Sequence, residues 1–128
     1  MEDYRPGPGW GKYYPTVEEV NKWVRVINRE VFGGKLPKFS KVEVRRRRGI
    51  WADCTGEEDD RGKKSVTLSI NNKVRCKQHL IEVIAHELVH HWEYTKYGTM
   101  AHTEKFKSWA PRLKEFKIPL NNYTEVGN

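Results

Sequence analysis

The chain has 128 residues, 37% hydrophobic and 12% aromatic with five Trp, which suits one domain with a modest core and excludes a disordered chain. Lys and Arg number 24 against 17 Asp and Glu, a net charge of +7 that favours a polyanionic partner, nucleic acid before an anionic membrane surface. No apolar run approaches a membrane span, Met1 to Gly9 has no hydrophobic leader, and Cys54 and Cys76 form no C-x-x-C pair, so neither a membrane protein nor a disulfide framework is expected.

Residues 1–15, rich in Gly, Pro and Tyr, read as an irregular arm. Thr16 and Glu19 have the spacing of a capping box, and Val17, Val20, Val24, Ile27 and Val31 recur at three and four, so a helix with one inward face follows. Gly33-Gly34 ends it and Pro37 prevents its return. From Lys41 the period is two: Val42 and Val44 alternate with Lys41, Glu43 and Arg45 in a strand that runs into Arg45, Arg46, Arg47 and Arg48. A buried face could not keep two unpaired guanidiniums, so this end is exposed or meets phosphate. The run is the first candidate for nucleic-acid contact; a solvated edge that resists aggregation is the alternative. A second strand covers Ile50 to Thr55, followed by a polar hairpin loop whose acidic run lacks calcium-loop spacing. Ser65 to Asn71 is a third strand with Val66, Leu68 and Ile70 inward.

The next helix begins near Lys77 or Gln78, with His79 on its N-terminal surface, and contains His86-Glu87-Leu88-Val89-His90. Two His four apart on a helix reach one metal ion, and the intervening Glu stands beside it; H-E-x-x-H supplies two zinc ligands and a general base. At about 100° per residue, Leu80, Ile81, Ile84, Ala85, Leu88, Val89 and Trp92 form one apolar stripe, and the two His point roughly 170° away from its centre. They are therefore expected on an open face, as the floor of a cleft. A hydrolytic zinc site wants three protein ligands and an open position, and His102, after the Tyr97-Gly98-Thr99 break, is the third. Thr103 then caps a C-terminal helix carrying Phe106, Trp109, Ala110, Leu113 and Phe116 inward and Lys105, Lys107, Arg112, Lys114 and Lys117 outward. Pro111 should kink or divide it. Residues 118–128 read as a tail.

The chain resembles the SprT-like zinc metallopeptidase family, which includes the Spartan-type proteases of DNA-protein crosslink repair. The resemblance rests on Ile27-Asn28-Arg29-Glu30-Val31-Phe32-Gly33-Gly34-Lys35-Leu36-Pro37, on the strand Val66 to Ile70, on Ile84 to His90, and on His102 with Phe106 in the family's later His-x-x-x-Phe. It implies an α+β, zincin-like domain over residues 16–117: an N-terminal helix, a three-stranded antiparallel sheet, the H-E-x-x-H active-site helix and a C-terminal helix. Ala101 and Thr103 stand where the family commonly has Gly on both sides of the third His. Two cysteines cannot build the C-terminal zinc ribbon of many members, so DNA contact would fall to Arg45, Arg46, Arg47, Arg48, Lys105 and Arg112.

The expected activity is peptide-bond hydrolysis with Zn2+ on His86, His90 and His102, and Glu87 as catalytic base. The expected substrate is protein, with DNA-associated proteins, on single-stranded or damaged DNA, as the class the resemblance implies; no membrane is involved, and the enzyme is expected to be a cytoplasmic monomer, nuclear in a eukaryote. Tyr94, Tyr97 and His91 are candidates for the oxyanion donor, and Glu93 either orients a ligand His or faces solvent. The rival reading is a non-catalytic, zinc-stabilised nucleic-acid or protein binding module, with His79, His91 or Asp53 as a fourth ligand. A third is a peptidase with no link to nucleic acid.

Overall fold

A computed structural model describes residues 13–101 and 103–120. Helix α1, Val17–Phe32, starts at Thr16, whose hydroxyl accepts the Glu19 N–H at 3.1 Å. The Glu19 carboxylate in turn accepts a hydrogen bond from the Tyr13 hydroxyl. Val20, Ile27, Val31 and Phe32 are buried, the face expected from their spacing. Gly33 ends the helix at φ 65°, a left-handed conformation that favours glycine, and the Gly33 and Gly34 N–H groups both bond the Asn28 carbonyl. The Asn28 side chain then grips the returning chain: it accepts the Leu36 N–H at 3.1 Å and donates to the Leu36 carbonyl at 3.2 Å. This fixes the Leu36-Pro37 corner that leads to the sheet.

Three strands follow: β1 Lys41–Arg45, β2 Ala52–Glu58 and β3 Lys64–Asn71. Their order is β1-β3-β2. The β2/β3 hairpin is antiparallel, from Ala52 opposite Ile70 to Glu58 opposite Lys64. β1 lies parallel to β3, from Lys41 opposite Thr67 to Arg45 opposite Asn71, so the sheet is mixed rather than the antiparallel sheet expected. The reason is the connection after β1. It carries the chain past the end of the sheet to the far edge, and the vacant middle is filled by β3, which runs as β1 does. Asn71 pins that connection, its amide donating to the Arg47 carbonyl at 3.2 Å and to the Ile50 carbonyl at 2.9 Å. Alternation of side chains shows which face a strand buries; it does not say which strand is its neighbour.

Ala52, Val66, Leu68 and Ile70 are buried and turn toward the helices. Helix α2, Lys77–Tyr97, begins where expected, capped by the Cys76 sulfur, which accepts the His79 N–H at 3.4 Å. It ends at Gly98, again left-handed with φ 77°. Its Leu80, Ile84, Leu88 and Val89 join the core. The C-terminal helix is divided, as Pro111 requires, into α3, Glu104–Lys107, and α4, Ala110–Lys114, with Pro111 in the first turn of α4. Tyr13 exchanges two backbone hydrogen bonds with Val74, at 2.9 and 2.8 Å, and Ile118 is buried, so both ends of the described chain are tied to the core. Among the described residues no helix is long and apolar enough to cross a membrane.

Candidate metal centre

Helix α2 is buried nearly all round. Besides its apolar stripe, Glu82, His86, Glu87, His90, His91 and Glu93 are all buried, with Glu87 1% and Glu93 0% exposed. The two motif histidines are 4% and 8% exposed, so the open face expected from helix periodicity is in fact covered. The cover comes from another element. Phe106 of α3 lies against both imidazoles, with ring centroids 5.0 Å from His86 and 4.5 Å from His90. Enclosing so many polar groups on one helix costs stability unless each is partnered, which marks this face as a site rather than a solvated flank.

The two imidazoles meet edge to face with their Nε2 atoms 3.1 Å apart. Two ring nitrogens bound at about 2.0–2.1 Å to one tetrahedral zinc stand about 3.3 Å from each other, so this pair fits one ion. Glu87 follows His86 on the flank facing β2, where the Cys54 thiol donates to the Glu87 carbonyl at 3.4 Å. Burial raises the Cys54 thiol well above its ordinary pKa, with the nearby Glu87 charge adding to the effect, so it stays protonated. Cys54 and Cys76 are both free thiols, as expected from their spacing. His102, the expected third ligand, lies outside the described residues, and among those residues no group of three His, Cys, Asp or Glu converges on one point.

One turn beyond His90, Glu93 places Oε1 3.7 Å from His90 Nδ1, and its Oε2 accepts the Thr103 hydroxyl at 2.7 Å. Glu93 is thus enclosed beside the ligand face, not exposed. The other polar residues weighed from the sequence are engaged elsewhere. His79 is buried edge-on against Trp51, and its Nδ1 accepts the Arg75 N–H at 3.1 Å. Burial, reinforced by the Arg75 charge, lowers its pKa to about 3. It is not the surface residue expected. His91 stacks on Phe39 and donates from Nε2 to the Pro37 carbonyl at 2.7 Å; burial lowers its pKa against that carbonyl's opposing pull. Asp53 is held by Arg47. Tyr94 sits against Gly56 of β2, where an added Cβ would come within 2.5 Å of the ring. Tyr97 is exposed and lies between Trp92 and the Lys105 ammonium.

The cations expected to contact nucleic acid are not equivalent. Arg47 makes a two-pronged pair with Asp53 at 3.1 and 3.0 Å and donates to Ser69 at 2.8 Å, which raises its own pKa. Arg45 bonds Glu43 at 2.7 Å; hydrogen bonds from Arg45, Lys41 and Ser69 bring the Glu43 carboxyl down to about 2. Arg46 and Arg48 are exposed past the end of β1. Arg112 reaches back to the C-terminus of α1, donating to the Glu30 carbonyl at 3.0 Å and the Val31 carbonyl at 3.4 Å. Beside it a groove of about 760 Å³ is floored by Phe32, Trp92 and Trp109 and edged by Lys35 and Lys96.

The domain is α+β with a mixed sheet, and its long buried helix carries His86-Glu87-Leu88-Val89-His90. The SprT-like family model matches residues 20–125, and the chain belongs to the SprT-like family. That family is generally peptidase-like and associated with metal dependence. No curated protein and no solved structure matches the chain.

Proposed function

We propose that this chain is a zinc-dependent metalloendopeptidase of the H-E-x-x-H type. The observation that carries the reading is the pair of Nε2 atoms 3.1 Å apart on a buried turn of α2, with the buried Glu87 between them in sequence. His86 and His90 would hold the ion with His102, and all three fall within the residues the family model spans. When bound, zinc supplies a Lewis acid that acidifies water and polarises a carbonyl. Glu87 takes the proton from the attacking water and returns it to the departing amine nitrogen. The rival structural-zinc reading has less support, because His79, His91 and Asp53 are each committed to other partners.

β2 is an edge strand, and its Cys54 and Gly56 lie against Glu87 and Tyr94 of α2. An extended polypeptide added to that edge would pass beside Glu87, held by backbone pairing that tolerates many side chains. Selectivity would then come from where the substrate is held. We propose proteins associated with single-stranded or damaged DNA, contacted first through Arg46, Arg48 and Lys105, because Arg45, Arg47 and Arg112 are engaged within the chain; the net charge of +7 and the exposed Arg46 and Arg48 support this.

The test is Glu87→Gln. It should keep one zinc per chain and lose peptide cleavage by at least about 100-fold. Cleavage at the wild-type rate would remove Glu87 from the mechanism. Cleavage of a DNA-binding protein with and without single-stranded DNA tests the substrate; equal rates, with no salt-sensitive DNA binding, would leave a peptidase without a nucleic-acid link.

A further inference from the structure

Glu93 is the most deeply enclosed carboxylate on α2, and the activity proposed above does not use it. We infer that Glu93 is the positioning residue of the metal centre: it orients His90 by the far ring nitrogen and, through Thr103, ties α2 to the start of α3. The inference rests on the metal-centre reading.

The Nε2 atoms of His86 and His90 face one another, so Nδ1 of His90 is the ring edge turned away, and Glu93 Oε1 lies 3.7 Å from it. A carboxylate on that side favours the tautomer with the proton on Nδ1, which leaves the Nε2 lone pair for the ion. The other oxygen accepts the Thr103 hydroxyl at 2.7 Å, and the same hydroxyl accepts the Phe106 N–H at 3.3 Å. One side chain therefore joins His90, the residue adjoining His102, and the start of the helix whose Phe106 covers both imidazoles.

A role in packing alone would be served better by an apolar residue. A buried carboxylate with a single hydroxyl donor is poorly compensated, and Oε1 has no hydrogen-bond partner among the described residues. An ion held by His90 through its other nitrogen would place a compensating positive charge on the far side of that ring. Thr103 also gives the position a use for a hydroxyl where the sequence departs from glycine.

The experiment compares Glu93→Gln, Thr103→Val and Thr103→Ser with the wild-type chain. The readouts are zinc dissociation constants by chelator competition, Co2+ absorption spectra, and melting of the metal-free proteins. Glu93→Gln and Thr103→Val should bind zinc about 10- to 100-fold more weakly with altered cobalt spectra, and Thr103→Ser should bind as wild type; metal-free melting should fall in Thr103→Val, which also loses the cap on the Phe106 N–H, and be kept in Thr103→Ser. Wild-type zinc affinity in both Glu93→Gln and Thr103→Val overturns the inference. Should Glu93→Gln fail to fold, the two threonine variants decide: weaker binding by Val than by Ser supports it, equal binding overturns it. A wild-type chain that binds no zinc, or a His86→Ala chain that binds it undiminished, instead overturns the metal-centre reading, and this inference with it.

Discussion

His79 has a cost that depends on pH. In the unfolded chain it takes up a proton near its ordinary value of 6.5, whereas the folded chain refuses that proton until about pH 3. Its contribution is therefore whole above pH 6.5 and is lost as pH falls below it, by about 1.4 kcal/mol per pH unit. The metal-free protein should lose stability to denaturation as pH falls below 6.5, with His91 contributing in the same direction, and His79→Asn, which keeps an acceptor for the Arg75 N–H, should reduce the slope by His79's share. Gly56 is a second single-residue constraint, this time steric. A methyl there would meet the Tyr94 ring at 2.5–2.8 Å, so Gly56→Ala should destabilise by about 1–3 kcal/mol. Joined to Tyr94→Ala, its cost should be less than the sum of the two, measured by urea denaturation.

Between elements, the corner after α1 depends on one amide. Asn28→Ala leaves both the N–H and the carbonyl of Leu36 without that partner and should cost about 1–3 kcal/mol in thermal or chemical unfolding. Helix caps were readable from sequence because they are set within a few residues: Thr16 before Val17, Gly33-Gly34 after Phe32, Pro111 dividing the last helix. The Asn28 corner was not, and β2 runs Ala52–Glu58 rather than from Ile50 to Thr55, because pairing with β3 carries the strand into its polar end. Strand neighbours were not readable either. β1 and β3 alternate alike whether they lie parallel or antiparallel, and what decides is a connection pinned by Asn71 from beyond it. The exposure of the histidines failed for a related reason. A helical count of apolar positions describes only the helix's own side chains, and the ring that encloses His86 and His90 belongs to Phe106. The motif itself was legible because its spacing is local; the Glu93 to Thr103 bond was not, since it spans ten residues and a helix end.

For the whole molecule, an ion bound only by the folded chain adds to its stability. Zinc at 100 times its dissociation constant should contribute about 2.7 kcal/mol, so chelation should lower the melting temperature of the wild-type chain and leave that of a His86→Ala, His90→Ala chain unmoved. The charge of +7 has its own signature: affinity for single-stranded DNA should fall steeply with salt, and Arg46→Ala with Arg48→Ala should reduce the slope. The strand order also carries a consequence for synthesis. β3 lies between the other two strands, so a nascent chain ending at about residue 63 has two strands with no one to join. The sheet must await the third strand's emergence from the ribosome, and until then the apolar faces of Val42 and Val44 are open to chaperones.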